Sequence, residues 1–161
     1  MRNEHLTPRE TPLAAGDAAP DFTLLDQARN EFKLSEKLEQ VDVVLCFFPM
    51  AFTEVCSAEM DCVHREIPVW QAKGLQVVGV SADSFAVQKA WSDQTGYTFP
   101  LLADMHREVC KGYGLYWPDL NVASRGTVIV TKGEAGPTVK WSQAREVGNA
   151  MDFEEVLAAM A

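Results

Sequence analysis

Residues 41–60 read VDVVLCFFPMAFTEVCSAEM, and the hydrophobic period changes in the middle of them. Up to Phe48 the run is continuous, β-branched and aromatic, the pattern of a strand buried on both faces. Farther on, Cys56, Met60, Val63 and Ile67 step by four, three and four, which marks one face of a helix over 53–67. Pro49 stands at the switch, and Pro68 is expected to kink or end the helix. A buried strand therefore runs straight into a helix whose first turns carry a cysteine.

Working outward, DFTLLDQARNEFKL (21–34) has two strand-like runs around a polar turn and suggests a hairpin. GLQVVGVSA (74–82) is a second buried strand, followed by a helix-like stretch from about Ser84 to Gln94. DMHREVCKGYG (104–114) reads as a short helix with glycines at its end. GTVIV (126–130) and PTVKW (137–141) flank a Gly-rich turn and suggest an antiparallel pair. DFEEVLAAM (152–160) is a closing amphipathic helix with Asp152 as its N-cap. These elements compose an α/β fold, a thioredoxin-like sandwich with a central mixed β-sheet flanked by helices and an N-terminal β-hairpin. Such a topology names no activity by itself.

The 161 residues suffice for one domain with a substantial core. Residues 1–14 are expected to be a flexible lead-in and 15–161 the single folded domain. Apolar residues make up 47% and charged residues 23%, as in a soluble globular chain. The formal net charge of −9 argues against a nucleic-acid backbone or an anionic membrane as partner. No apolar stretch approaches the roughly 20 residues that span a bilayer. The first residues carry charges and prolines where a signal peptide needs an apolar core, so a cytoplasmic location is the expectation. In that compartment Cys46, Cys56, Cys62 and Cys110 are expected as thiols rather than a disulfide framework.

The position of Cys56 matters because the start of a helix offers free N–H groups and the positive end of the dipole. A free thiol with pKa near 8.5 is only a few per cent thiolate at pH 7. Lowering it by about two units takes about 2.7 kcal/mol of differential stabilisation. A helix end supplies about 0.3–1 kcal/mol when exposed and up to about 2 when partly buried. A cation is therefore needed nearby. Arg125, immediately before GTVIV, is the candidate, since that strand should start beside the head of the cysteine's helix. Arg65 and Arg107 fall in helical segments farther away. Thr53, three residues before Cys56, can turn its hydroxyl toward the sulfur and both accept and donate a hydrogen bond. Pro49 turns the chain and screens one side without adding a donor.

Pro49, Thr53 and Cys56 fit the Pro-x-x-x-Thr-x-x-Cys signature of the peroxiredoxins, which this chain resembles. The similarity continues through APDFTLLD upstream and through TFPLLAD (98–104) and SRGTVIV downstream. The cysteine segment most resembles the one-cysteine group related to alkyl hydroperoxide reductase E and bacterioferritin comigratory protein. The resemblance implies a thiol-dependent peroxidase acting on hydrogen peroxide and organic hydroperoxides. Cys56 would form a sulfenic acid, Thr53 would hold the peroxide, Arg125 would stabilise the charge and Pro49 would shield the sulfenate. Glu59 matches an acid that orients the arginine in many family members. The resemblance also implies a homodimer, with a hydroperoxide as substrate, an external thiol or redoxin as reductant, and no cofactor, metal, nucleic acid or membrane as partner.

Competing readings are a buried structural cysteine, a metal site from Cys56, Cys62 and His64, and a dithiol oxidoreductase. The last wants C-x-x-C, and position 59 is Glu. His5, His64 and His106 carry no chemistry, and Trp70, Trp91, Trp117 and Trp141 read as core or interface residues. Cys62 lies six residues along the same helix, about 9 Å of rise from Cys56, so the two could pair only if the helix melted. No cysteine follows Cys110. A one-cysteine cycle is therefore expected, with two alternatives open: a Cys56–Cys62 cycle, and a peroxide sensor that passes oxidation to a partner.

Overall fold

The computed structural model describes residues 1–160. Its centre is β3 (Asp42–Phe47), which pairs in parallel with β4 (Leu75–Ser81) and antiparallel with β8 (Arg125–Gly133). Flanked on both sides, β3 buries every residue after Asp42, which is why its sequence reads as an uninterrupted apolar run. Alternation still sorts the side chains. Val43, Leu45 and Phe47 face one core with Phe22, Val80 and Tyr113, while Val44, Cys46 and Phe48 face a second with Met60, Trp91 and Ile129.

The sheet continues through β5 (Leu101–Ala103) to the hairpin of β1 (Thr23–Leu25) and β2 (Glu31–Lys33). On the other side β8 pairs with β9 (Gly136–Arg145), giving the order β2-β1-β5-β4-β3-β8-β9. Tyr116–Trp117 (β6) and Val122–Ala123 (β7) form a separate small ribbon. The helices are α1 (Leu34–Lys37), α2 (Glu54–Arg65), α3 (Ile67–Ala72), α4 (Phe85–Thr95), α5 (Glu108–Gly112) and α6 (Phe153–Ala158). A mixed sheet flanked by helices, with an N-terminal hairpin, is the α/β thioredoxin-like sandwich expected.

Cys56, Met60 and Val63 are the buried apolar stripe of α2, as their spacing requires. Gly79, opposite Cys46 in the β3–β4 register, lets this layer close down: a Cβ there would lie 2.8 Å from Leu101 and 3.0 Å from Phe48. Pro68 stands in the first turn of α3, so α2 ends at Arg65 and a new helix starts after Glu66. Asp152 caps α6 by accepting from the backbone N–H groups of Glu154 and Glu155.

Two expectations change. The helix sought at 104–114 is only α5, because Arg107 takes a left-handed backbone (φ 59°) and residues 104–107 form a turn before it. Residues 1–14, expected as a flexible lead-in, lie packed along the body. Asn3 is buried and pairs both its amide groups with the Thr23 backbone at 3.0 Å, imitating a neighbouring strand. Leu13 is 3% exposed, and the N–H groups of Arg9 and Leu13 donate to the carbonyls of Lys111 and Tyr113. No helix among the described residues is long and apolar enough to cross a membrane.

Candidate active site

The end of β3 delivers the chain to a tight connection, Pro49–Thr53, that leads into α2. Pro49 is buried, and Phe52 sits in the left-handed region (φ 65°), a costly conformation for an aromatic residue. The connection is held from below. The Ala51 N–H donates to Asp83 Oδ2 at 2.8 Å, and the Ser81 hydroxyl at the end of β4 donates to the same oxygen at 2.8 Å. Thr53 occupies the N-cap position of α2 with extended backbone, but its hydroxyl donates to the Met50 carbonyl at 2.8 Å instead of capping the helix. The first turn of α2 thus has no side-chain cap, and Cys56 lies in that turn, 1% exposed.

Topology brings Arg125 to the same place. β8 runs antiparallel to β3, so its first residues lie beside the end of β3, with Phe47 opposite Gly126. The 1%-exposed Arg125 donates from Nη2 to Cys56 Sγ at 3.0 Å and from Nε to the Val147 carbonyl at 2.9 Å. Its Nη1 faces Glu59 Oε1 at 3.3 Å, an ion pair without hydrogen-bond alignment. Glu59, one helical turn beyond Cys56, is wholly buried. Its Oε2 accepts from Arg145 Nη2 at 3.1 Å and from the Met151 N–H at 2.6 Å. Arg145 stands opposite Arg125 in the β8–β9 register and also donates to Thr127 Oγ1 at 3.0 Å. Two guanidinium groups against one carboxylate leave an excess of positive charge beside the sulfur. A buried ion cluster of this kind persists only when its members are mutually paired.

Cys56, Thr53, Pro49 and Arg125 line one cavity of about 200 Å³. Glu59 stands behind it, holding the arginine. Arg65 and Arg107 are elsewhere: Arg65 pairs with Glu66 at 3.3 Å, and Arg107 donates to the Asn121 carbonyl at 2.6 Å. All four cysteines are free. Cys46 and Cys110 are buried, and burial pushes both thiols well up; Cys62, half-buried on α2, is pushed up by the same cause. Cys56 differs in having a buried guanidinium, that of Arg125, donating to its sulfur at 3.0 Å.

Sequence reasoning missed Arg145 and Asp83, and Trp117, read as a core or interface residue, lines the cavity instead. Arg145 has no local signal, since only the β8–β9 register, which runs past the expected 137–141, carries it to Glu59. Asp83 follows the GLQVVGVSA strand directly, and an acid at a strand end beside a helix start was the available clue.

Chemically, this is a buried thiol sulfur at a helix start, with a fixed cation beside it and a hydroxyl and a proline lining the same cavity. The AhpC/TSA family model matches residues 15–135. Alkyl hydroperoxide reductase E of Mycobacterium tuberculosis is 33% identical over 150 residues, covering 92% of this chain and 98% of the relative. The selenocysteine-containing peroxiredoxin PrxU of Peptoclostridium acidaminophilum is 38% identical over 128 residues, covering 73% of this chain and 63% of that one. Among solved structures, peroxidoxin BcpB from Mycobacterium tuberculosis superimposes with a TM-score of 0.82 at 25% identity, covering 92% and 96% of the two chains. Reduced 2-Cys peroxiredoxin of Plasmodium vivax gives 0.82 at 22% identity, covering 92% of this chain and 81% of that one, and speaks for the fold.

Proposed function

The chain belongs to the AhpC/TSA family and is a peroxiredoxin, a thiol-dependent peroxidase, and on that premise we propose that Cys56 is the residue that attacks the peroxide. The observation that carries this reading is the 3.0 Å hydrogen bond from Arg125 to Cys56 Sγ. The guanidinium and the uncapped start of α2 set positive charge and free N–H groups beside the sulfur, where a reacting sulfur anion and its leaving oxygen need them. The thiolate attacks the terminal peroxide oxygen, the O–O bond breaks, and its electron pair leaves on the second oxygen, which takes up a proton to become an alcohol or water. Sulfur is oxidised to a sulfenic acid and the peroxide is reduced. Arg125, already fixed at Val147 and Glu59, offsets negative charge on sulfur and on the leaving oxygen without reorganising. The Thr53 hydroxyl holds the peroxide, Pro49 closes a wall that offers no donor, and Glu59 positions Arg125.

The return to thiol uses an external thiol. α2 is helical from Glu54 to Arg65, so Cys56 and Cys62 are about 9 Å apart along its axis, beyond the roughly 7 Å Cα separation a disulfide spans. The external thiol attacks the sulfenic sulfur and water leaves. A second thiol then splits the mixed disulfide, passing its electrons to regenerate Cys56. Residues 15–161 act as one folding unit in this reading, with 1–14 laid against it. Free thiols suit a cytoplasmic setting. The exposed Phe52 and Met50 beside the site favour a homodimer, which sedimentation at micromolar concentration tests.

The deciding experiment titrates the protein with hydrogen peroxide and an organic hydroperoxide and traps the sulfenate for mass spectrometry. Cys56→Ser should abolish oxidation; full reactivity in that variant overturns the assignment. Cys62→Ser should keep turnover with an external thiol, and its loss there would establish a two-cysteine cycle instead. Repeated turnover with excess reductant separates the peroxidase from a sensor oxidised once per chain.

A further inference from the structure

The cavity over Cys56 divides by chemistry. Cys56, Thr53 and Arg125 supply its polar reacting end and Glu54 a further charge, while Met50, Val55, Trp117 and Val147 supply most of its apolar lining. Hydrogen peroxide is little larger than a water molecule, whose share of liquid is about 30 Å³. It would leave most of the roughly 200 Å³ unfilled and the apolar wall without a partner. An apolar wall next to a polar reacting end suits a ligand with the same division.

Trp117 is the distinctive part of that wall. Trp70 and Trp91 are fully buried and Trp141 packs against a core cluster, but Trp117 belongs to neither cluster and is only half-buried. The ribbon it sits on explains its direction. Successive strand residues face opposite ways. Tyr116 turns away, with its hydroxyl donating to Asn121 Oδ1 at 2.8 Å and Lys111 Nζ 4.6 Å from its ring centre, so Trp117 faces the cavity. Trp117 pairs with Val122 on β7, and the chain then passes through Ser124 into Arg125. The Ser124 N–H donates to the Leu115 carbonyl at 3.0 Å, closing the ribbon. The indole is thus fixed relative to the guanidinium that meets the sulfur.

We infer that Trp117 is a specificity-determining residue, receiving the compact alkyl or aryl group of an organic hydroperoxide whose terminal oxygen meets Cys56. The inference rests on the peroxidase assignment of Cys56 made above. The bulky group packs on the indole, Met50 and Val147, and the peroxide lies inward between Thr53 and Arg125. Bond making and breaking are those already given, with the apolar group leaving on the alcohol.

The test measures second-order rate constants for Cys56 oxidation by cumene hydroperoxide and by hydrogen peroxide, using rapid quench and mass spectrometry. Trp117→Ala should lower the ratio of the two constants about tenfold, as loss of an apolar pocket contact implies. Trp117→Phe, which retains an aromatic face, should restore most of the ratio. A ratio unchanged in Trp117→Ala, or both constants falling in proportion, overturns the inference. Trp117→Leu carries the same comparison if the alanine variant loses its native circular dichroism. Failure of the underlying assignment looks different: wild-type Cys56 would then be oxidised by neither peroxide.

Discussion

At Glu59 a single buried carboxylate meets the buried Arg125 guanidinium, the nearly buried one of Arg145 and a backbone N–H. Glu59→Gln keeps the shape and removes the charge, leaving two buried cations facing one another. Removing one partner of a buried ion pair costs about 3–5 kcal/mol, and a loss of that order is expected in the urea-unfolding free energy. An unfolding midpoint equal to wild type would mean that the arginines do not depend on this carboxylate. Arg125 is a separate matter, because its fork serves three partners at once: Cys56, Glu59 and Val147. Lysine carries the charge but offers a single point of donation. Arg125→Lys should therefore slow sulfenate formation by roughly 100-fold, the scale of losing one preorganised donor. Stopped-flow oxidation measures this, and a loss under about threefold would show that charge alone suffices.

Among the elements, α5 is the one whose stability should respond to mild acid. Asp104 is 2% exposed and accepts from the Val109 and Cys110 N–H groups at 3.2 and 2.8 Å, holding the start of the helix. Burial pushes its carboxyl up to about 6, outweighing those hydrogen bonds. The folded protein therefore binds this proton more tightly than the unfolded chain, whose ordinary value is near 3.8. The resulting stabilisation is fully present below about pH 3.8 and is lost as the pH rises through about 6. Asp104→Asn has no such proton. The stability of wild type relative to Asp104→Asn should fall, by on the order of 3 kcal/mol, between pH 4 and pH 7. Parallel chemical denaturation curves across that range check it, and a constant difference would remove the buried acid from the account. Asp104 also explains why α5 was misjudged from sequence. The segment from Asp104 looked helical by composition, yet its first residues serve as a turn and cap.

For the whole molecule, what could be read from sequence was whatever local periodicity encodes. The switch from a continuous apolar run to the Cys56, Met60, Val63 stripe marks the β3–α2 junction, because burial on two faces and burial on one stripe leave different patterns. Arg125 was within reach because the expected thioredoxin-like sheet sets the start of its strand beside the end of β3. Arg145 and Trp117 were not, since each reaches the site through register or ribbon geometry that no nearby residue specifies, whereas Asp83 had a local clue in its place just after a strand and before a helix. The contacts of residues 1–14 were illegible for a related reason: their prolines and charges resemble a loose tail, while their contacts are scattered over the distant elements they cross. Leu13 enters a core cluster, Leu6 packs beside Gly112, and a Cβ on Gly114 would run into the backbone of Thr11. Burying a leucine contributes about 1.5–3 kcal/mol, and with the strap's hydrogen bonds set against the entropy of ordering it, removal is expected to cost about 3 kcal/mol, the upper end of that range. Deleting residues 1–14 is therefore expected to lower the thermal midpoint by roughly 6–12 °C, at about 2–4 °C per kcal/mol for a chain of this size. Circular dichroism melts of the full and shortened chains measure it. An unchanged midpoint would return this segment to the role of a loose leader.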